Sequence, residues 1–136
     1  MSDKLQKYLA SAKEGNKPET ITVAVDGEKW SVRRLTTMDV RRSFELAYNE
    51  DGSPKDTYNE IDVQIVKATE HDFDWNNTEL LKAFKCTMKF ELPPRLLSDP
   101  DEFAKLSKAV RNFQETKEAL IAEAKNSSSE TEKQAG

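Results

Sequence analysis

The run from Thr20 to Arg33, Thr-Ile-Thr-Val-Ala-Val-Asp-Gly-Glu-Lys-Trp-Ser-Val-Arg, limits this chain's fold more than any other stretch. Its β-branched residues alternate, which puts Ile21, Val23 and Val25 on one face of a strand. Asp26-Gly27 then supplies two residues that tolerate positive φ, as a type I′ turn requires. A two-residue turn sets Val23 opposite Trp30 and Ile21 opposite Val32. A four-residue loop sets Val25 opposite Trp30 and Val23 opposite Val32 instead. Either register joins apolar side chains on one face, so a hairpin is expected with its register open.

The remaining pattern is helical. Leu5, Tyr8, Leu9 and Ala12 recur at i, i+3, i+4 and i+7 over residues 3–14, and Gly15-Asn16 and Pro18 end that segment. A second helix is expected over 37–49, capped by Thr36 or Thr37, with Asp39 in its first turn and Val40, Phe44 and Ala47 as its buried stripe. A polar loop over 49–56 leads to a third helix, 57–69, which presents Tyr58, Ile61, Ile65 and Ala68 on one face with Val66 beside them. A short helix over 78–87 would bury Leu80, Leu81 and Phe84. Leu92-Pro93-Pro94 reads as an extended connector, because proline does not continue a helix. The last and longest helix is expected from Asp101 to Lys125, about 37 Å at roughly 1.5 Å per residue. Its apolar stripe is Phe103, Leu106, Val110, Phe113, Leu120 and Ala124, broadened by Ile121 and interrupted by Lys117.

These elements define an α+β fold, predominantly helical: one N-terminal β-hairpin packed with four to five helices. Residues 1–17 are an amphipathic helix and linker, and 18–125 the domain. Residues 126–136 hold nothing apolar larger than alanine and are expected to be disordered.

Composition excludes several functions. The 136 residues include 34% charged and 36% hydrophobic side chains, with a net charge of −4. That balance argues against a nucleic-acid binder. Arg33-Arg34 and Arg41-Arg42 fit a solvated surface better than a basic groove. One cysteine forms no internal disulfide, and Cys86 sits among apolar residues as a packing group. No window approaches the roughly 20 apolar residues that span a bilayer. The first fifteen residues lack the apolar core of a secretory signal, so a cytoplasmic chain is expected. None of the four glycines lies in a phosphate-cradling motif.

The stretch Glu70-His71-Asp72-Phe73-Asp74-Trp75-Asn76-Asn77 carries the one histidine. Asp72, Asp74, Asn76 and Thr78 imitate half of a calcium loop, yet Asn77 stands where glycine is needed and Ala83 where a bidentate glutamate is needed. His71 lacks a partner nucleophile in the sequence and reads as a polar residue at a helix end. Asn76 followed by Glu79 reads as a capping box. Phe73 and Trp75 read as pegs into the core, although both are large enough to anchor a partner.

The segments Ile65-Val66-Lys67-Ala68-Thr69, Asp72-Phe73-Asp74, Thr78 to Phe84 and Leu106-Ser107-Lys108-Ala109-Val110, with the hairpin and Arg34-Leu35-Thr36, resemble the tail assembly chaperones of long-tailed phages and related defective prophages, the XkdN-like group. The likeness spans about residues 18–115. Members often open the helix after the Asp-Phe-Asn/Asp loop with proline, where this chain has Trp75-Asn76-Asn77. Their Leu-x-Pro-Gly-Glu connector is here Leu92-Pro93-Pro94-Arg95. The resemblance implies a non-enzymatic protein without cofactor or metal, acting in the host bacterial cytoplasm and absent from the finished virion. Its implied partners are the tape measure protein, whose apolar helices it keeps soluble, and the major tail protein. An alternative is a structural phage component, such as a head–tail connector or tail completion protein. The partner-contact candidates are Leu5, Tyr8, Leu9, Phe73, Trp75, Phe113, Leu120 and Ile121. They would meet a partner helix or a second copy, unless the two terminal helices simply pack on each other.

Overall fold

The computed structural model describes residues 2–14 and 18–113. Those residues form six α-helices, one 3₁₀ turn and a two-stranded antiparallel sheet, an α+β fold dominated by helix. The expected helix beyond Phe113 and the expected tail over 126–136 lie outside the described residues.

Helix α1 (Asp3–Glu14) covers the predicted span and buries none of its residues. Strands β1 (Thr20–Val25) and β2 (Glu28–Arg33) form the hairpin in the two-residue register, with Val23 opposite Trp30 and Ile21 opposite Val32. Asp26 and Gly27 take φ of 54° and 75°, the two positive values that a type I′ turn demands. Val25, Trp30 and Val32 are buried on the inner face, while Thr20, Thr22 and Ala24 are exposed.

Helix α2 (Thr37–Ala47) starts in a capping box: Thr36 Oγ1 accepts from the Asp39 N–H, and Asp39 Oδ2 accepts from the Thr36 N–H. It ends two residues early because Tyr48 turns extended and bridges to Pro54, so the loop folds back over the helix end. Its buried side also differs from the expected stripe. Ser43 and Ala47 are buried, and Phe44 is 45% exposed. The small residues let α2 lie close to the next helix, where Gln64 Nε2 donates to Ser43 Oγ at 3.0 Å. A phenyl ring at the centre of that contact would push the helices apart.

Helix α3 (Glu60–Thr69) is the axis of the fold. Asn59 and Asp62 cap it reciprocally, so it begins three residues later than the periodicity predicts. It is buried almost all round, including Ile61, Val63, Ile65, Val66 and Ala68, where one buried face was expected. The reason is position: α2, β2, α6 and the segment around residues 89–96 each cover a different side.

Helix α4 (Thr78–Ala83) stops four residues short of expectation. Lys85 adopts φ 56°, its N–H donates to Lys82 O, and the Cys86 N–H donates to Leu81 O, which closes the helix in a Schellman motif. Leu80, Leu81 and Phe84 are half-buried against the core. The Leu-Pro-Pro segment is not extended. A 3₁₀ turn, Lys89–Glu91, runs into α5 (Leu92–Leu96), whose prolines occupy the first turn, where their missing N–H groups have no intrahelical acceptor to lose. Helix α6 (Pro100–Phe113) buries Leu106, Val110 and Phe113 against both strands and α3. No helix among the described residues is long and apolar enough to cross a membrane.

Candidate functional site

The loop between α3 and α4 brings the sequence's most suggestive residues to the edge of β2. The Ser31 N–H points away from β1, and Asp72 Oδ2 accepts it at 3.0 Å. The Ser31 hydroxyl lies 2.9 Å from His71 Nε2. Below these contacts three aromatic rings meet. Trp30 stacks on Trp75 with centroids 5.8 Å apart, Phe73 meets Trp75 edge-on at 4.8 Å, and Trp30 tilts against Phe73 at 5.2 Å. Such pairs favour offset and edge geometry over a face-to-face stack. The Trp75 indole N–H donates to Thr69 Oγ1 at 2.9 Å, and that hydroxyl donates to Ile65 O at 2.7 Å. Trp30 is less well served: its indole N–H is buried without a partner among the described residues. An orphaned donor costs about 1–3 kcal/mol, which the burial of so large a ring outweighs.

This geometry decides several sequence expectations. Asp74 Oδ1 accepts from the Asn76 N–H in a tight turn, which uses residue 76 and moves the helix cap one position on. Asn77, not Asn76, is therefore the cap, accepting from the Leu80 N–H at 3.0 Å. The carboxylates of the half calcium loop are thus engaged with backbone N–H groups at two sites. Among the described residues, no group of three or more His, Cys, Asp and Glu side chains is placed to hold a metal ion. An open cleft of about 430 Å³ lies against the loop, lined by Val66, Glu70, His71, Asp74, Trp75 and Lys89 among others. Lys89 Nζ reaches within 4.0 Å of Glu70 across it.

Other charged groups serve the frame. Arg33 donates from Nε to Lys67 O and from Nη1 to Asp39 Oδ2, tying β2 to the ends of α2 and α3. Burial raises the Asp39 carboxyl, but the Thr36 N–H and the Arg33 guanidinium outweigh it and hold the group below the ordinary range. Burial likewise raises Glu91, yet its net position is lowered because Oε2 accepts from the Thr87 N–H, the Thr87 hydroxyl and the Met88 N–H. Burial pushes the Cys86 thiol up, as expected of a packing residue.

The partner-contact candidates separate by burial. Trp75 is 2% exposed and Phe113 4%, so both belong to the core and present no surface in this structure. Phe73 is half-buried against that core. Leu120 and Ile121 lie outside the described residues. Leu5, Tyr8 and Leu9 are 47%, 62% and 50% exposed and form an apolar face on α1. Among the described residues Met38, Phe44 and Tyr48 are also exposed: periodicity passed over Met38 and Tyr48 and placed Phe44 in the buried stripe. The available signal was the small pair Ser43 and Ala47, four residues apart, which marks the close-packing side of α2 and turns Phe44 outward.

No family model matches the chain, and no curated protein matches it. Among solved structures, the crystal structure of the protein yqbn, a structural genomics target, is similar, with a TM-score of 0.56. The match covers 74% of this chain and 87% of that one at 17% identity. At that identity the likeness shows a shared fold and nothing further.

Proposed function

We propose that this chain is a tail assembly chaperone of a long-tailed phage or related prophage. It binds the tape measure protein in the host cytoplasm and helps bring major tail protein subunits to it, without entering the finished virion. The observation that carries this reading is the resemblance over residues 65–69, 72–74, 78–84 and 106–110. Those segments are not scattered: they correspond to α3, the aromatic loop, α4 and the middle of α6, which lie around one core. The exposed apolar face of α1 suits the role, because a chaperone of apolar helices needs apolar surface of its own. Its mechanism would be reversible burial of partner surface against Leu5, Tyr8 and Leu9, with the charged remainder of the chain keeping the complex in solution.

Co-expression with the tape measure protein tests the proposal. The expected result is that this chain raises the soluble fraction of that partner and co-purifies with it. A tape measure protein that stays insoluble, or a chain found in purified virions, would overturn it.

A further inference from the structure

We propose that the Leu5–Tyr8–Leu9–Ala12 face of α1 docks an amphipathic partner helix whose own apolar stripe is flanked by Glu and Asp. This rests on the reading of the chain as a binding protein and narrows the partner's chemistry.

The face is built as a helix-recognition stripe. Its residues recur at i, i+3, i+4 and i+7, the spacing with which one helix lies along another. Ser2 caps the helix, accepting from the Leu5 N–H through Oγ at 3.2 Å. Nothing in α1 is buried, and an isolated helix of twelve residues is marginal in water. Covering this face is therefore what would stabilise it.

Charge identifies the occupant. At roughly 100° per residue, Lys4 falls on one flank of the stripe and Lys13 on the other. Asp3 and Glu14 fall on the far side. Lys7 also falls on the far side, although its Nζ reaches to 5.8 Å from the centre of the Tyr8 ring. A chain of net charge −4 thus edges this exposed apolar helix face with lysines. A partner helix with acidic flanks meets opposite charge along both edges. A lysine-flanked helix meets like charge. A second copy of α1 brings no carboxylate to either flank, because both of its acids lie on the far side.

Two labelled peptides test this, identical alanine-rich helices with one leucine stripe, flanked by Glu in one and by Lys in the other. Titrated with the full chain at low salt, the Glu-flanked peptide is expected to bind at least about tenfold more tightly, and that preference should shrink as salt screens it. Leu5→Asp with Leu9→Asp should lower its binding at least about tenfold, since a charge placed in an apolar contact is costly. These variants alter exposed positions, so an unchanged circular dichroism spectrum of the domain is expected. Lys4→Glu with Lys13→Glu should reverse the peptide preference. Equal binding of both peptides, no binding of either, or indifference to these substitutions overturns the inference. So does self-association that Leu9→Asp abolishes, which makes a second copy the occupant. A gain in peptide affinity on Leu120→Asp with Ile121→Asp overturns it too, because this chain's own C-terminal segment would then cover the face. If the tape measure protein still co-purifies with the Leu5→Asp/Leu9→Asp chain, the inference fails and the chaperone reading stands. Loss of that partner from the unaltered chain removes the chaperone reading instead.

Discussion

Replacing Asp62 by asparagine should change how the stability of this protein responds to pH. Asp62 is 4% exposed within α3, and its Oδ2 accepts from the Asn59 N–H at 3.0 Å as half of the capping box. Burial raises its carboxyl to about 6, with the Asn59 contact opposing and the neighbouring Glu60 charge adding to the rise. The ordinary value is 3.8, so the folded state holds this proton more tightly than the unfolded chain does. A raised folded value stabilises the fold fully below pH of about 3.8, and that contribution is lost as pH rises through about 6. A difference of about two units corresponds to about 3 kcal/mol at roughly 1.4 kcal/mol per unit. Asparagine keeps an oxygen for the Asn59 N–H and cannot ionise. Urea unfolding of both proteins at several pH values between 4 and 7.5 isolates the effect, since the other carboxylates cancel in the difference. The stability of Asp62→Asn relative to the parent should grow by about 2–3 kcal/mol across that range. A difference that stays flat would refute the reasoning and mean that Asp62 is as well solvated folded as unfolded.

Two further substitutions probe the frame. Thr69→Val keeps the side-chain shape but leaves the Trp75 indole N–H unpaired beside α3; it should cost about 1–3 kcal/mol in chemical denaturation. In the Trp75→Phe background, where that donor is gone, the same change should cost clearly less. Gly27→Ala places a Cβ where no atom lies within 4 Å but where φ is 75°, so its cost is backbone strain alone. About 1 kcal/mol is expected, seen as a drop of several degrees in Tm.

How much was legible in the sequence follows from how far apart the deciding atoms lie. Asp26-Gly27 and the alternation on either side of it specified the hairpin, because positive φ at two adjacent residues is a local property; the register stayed open between two pairings that both joined apolar residues, and the structure shows the two-residue one. The full span of α1 was legible for the same reason, and the cap of α2 was narrowed to Thr36 or Thr37, of which the structure uses Thr36. Caps at Asn59 and Asn77 were missed or misplaced by one. Asn76 and Asn77 offer the same local chemistry, and only the turn that Asp74 makes with the Asn76 N–H separates them.

The sequence by itself determined the fold class, the hairpin, the approximate order of helices and the apolar face of α1. It did not determine which faces are covered. That α3 is buried almost all round, that Phe44 faces outward while Ser43 faces in, and that Trp75 stacks on Trp30 forty-five positions earlier each depend on elements distant in the chain. Periodicity reports that a face is apolar; packing decides what lies against it. Leu-Pro-Pro shows the same division, since proline bars a helix interior but is welcome in a first turn, and only the placement of Glu91 at the start of α5 made it a first turn. The physical reason throughout is that dihedral preferences act within a few residues, whereas burial is shared among elements that meet only once the chain has folded.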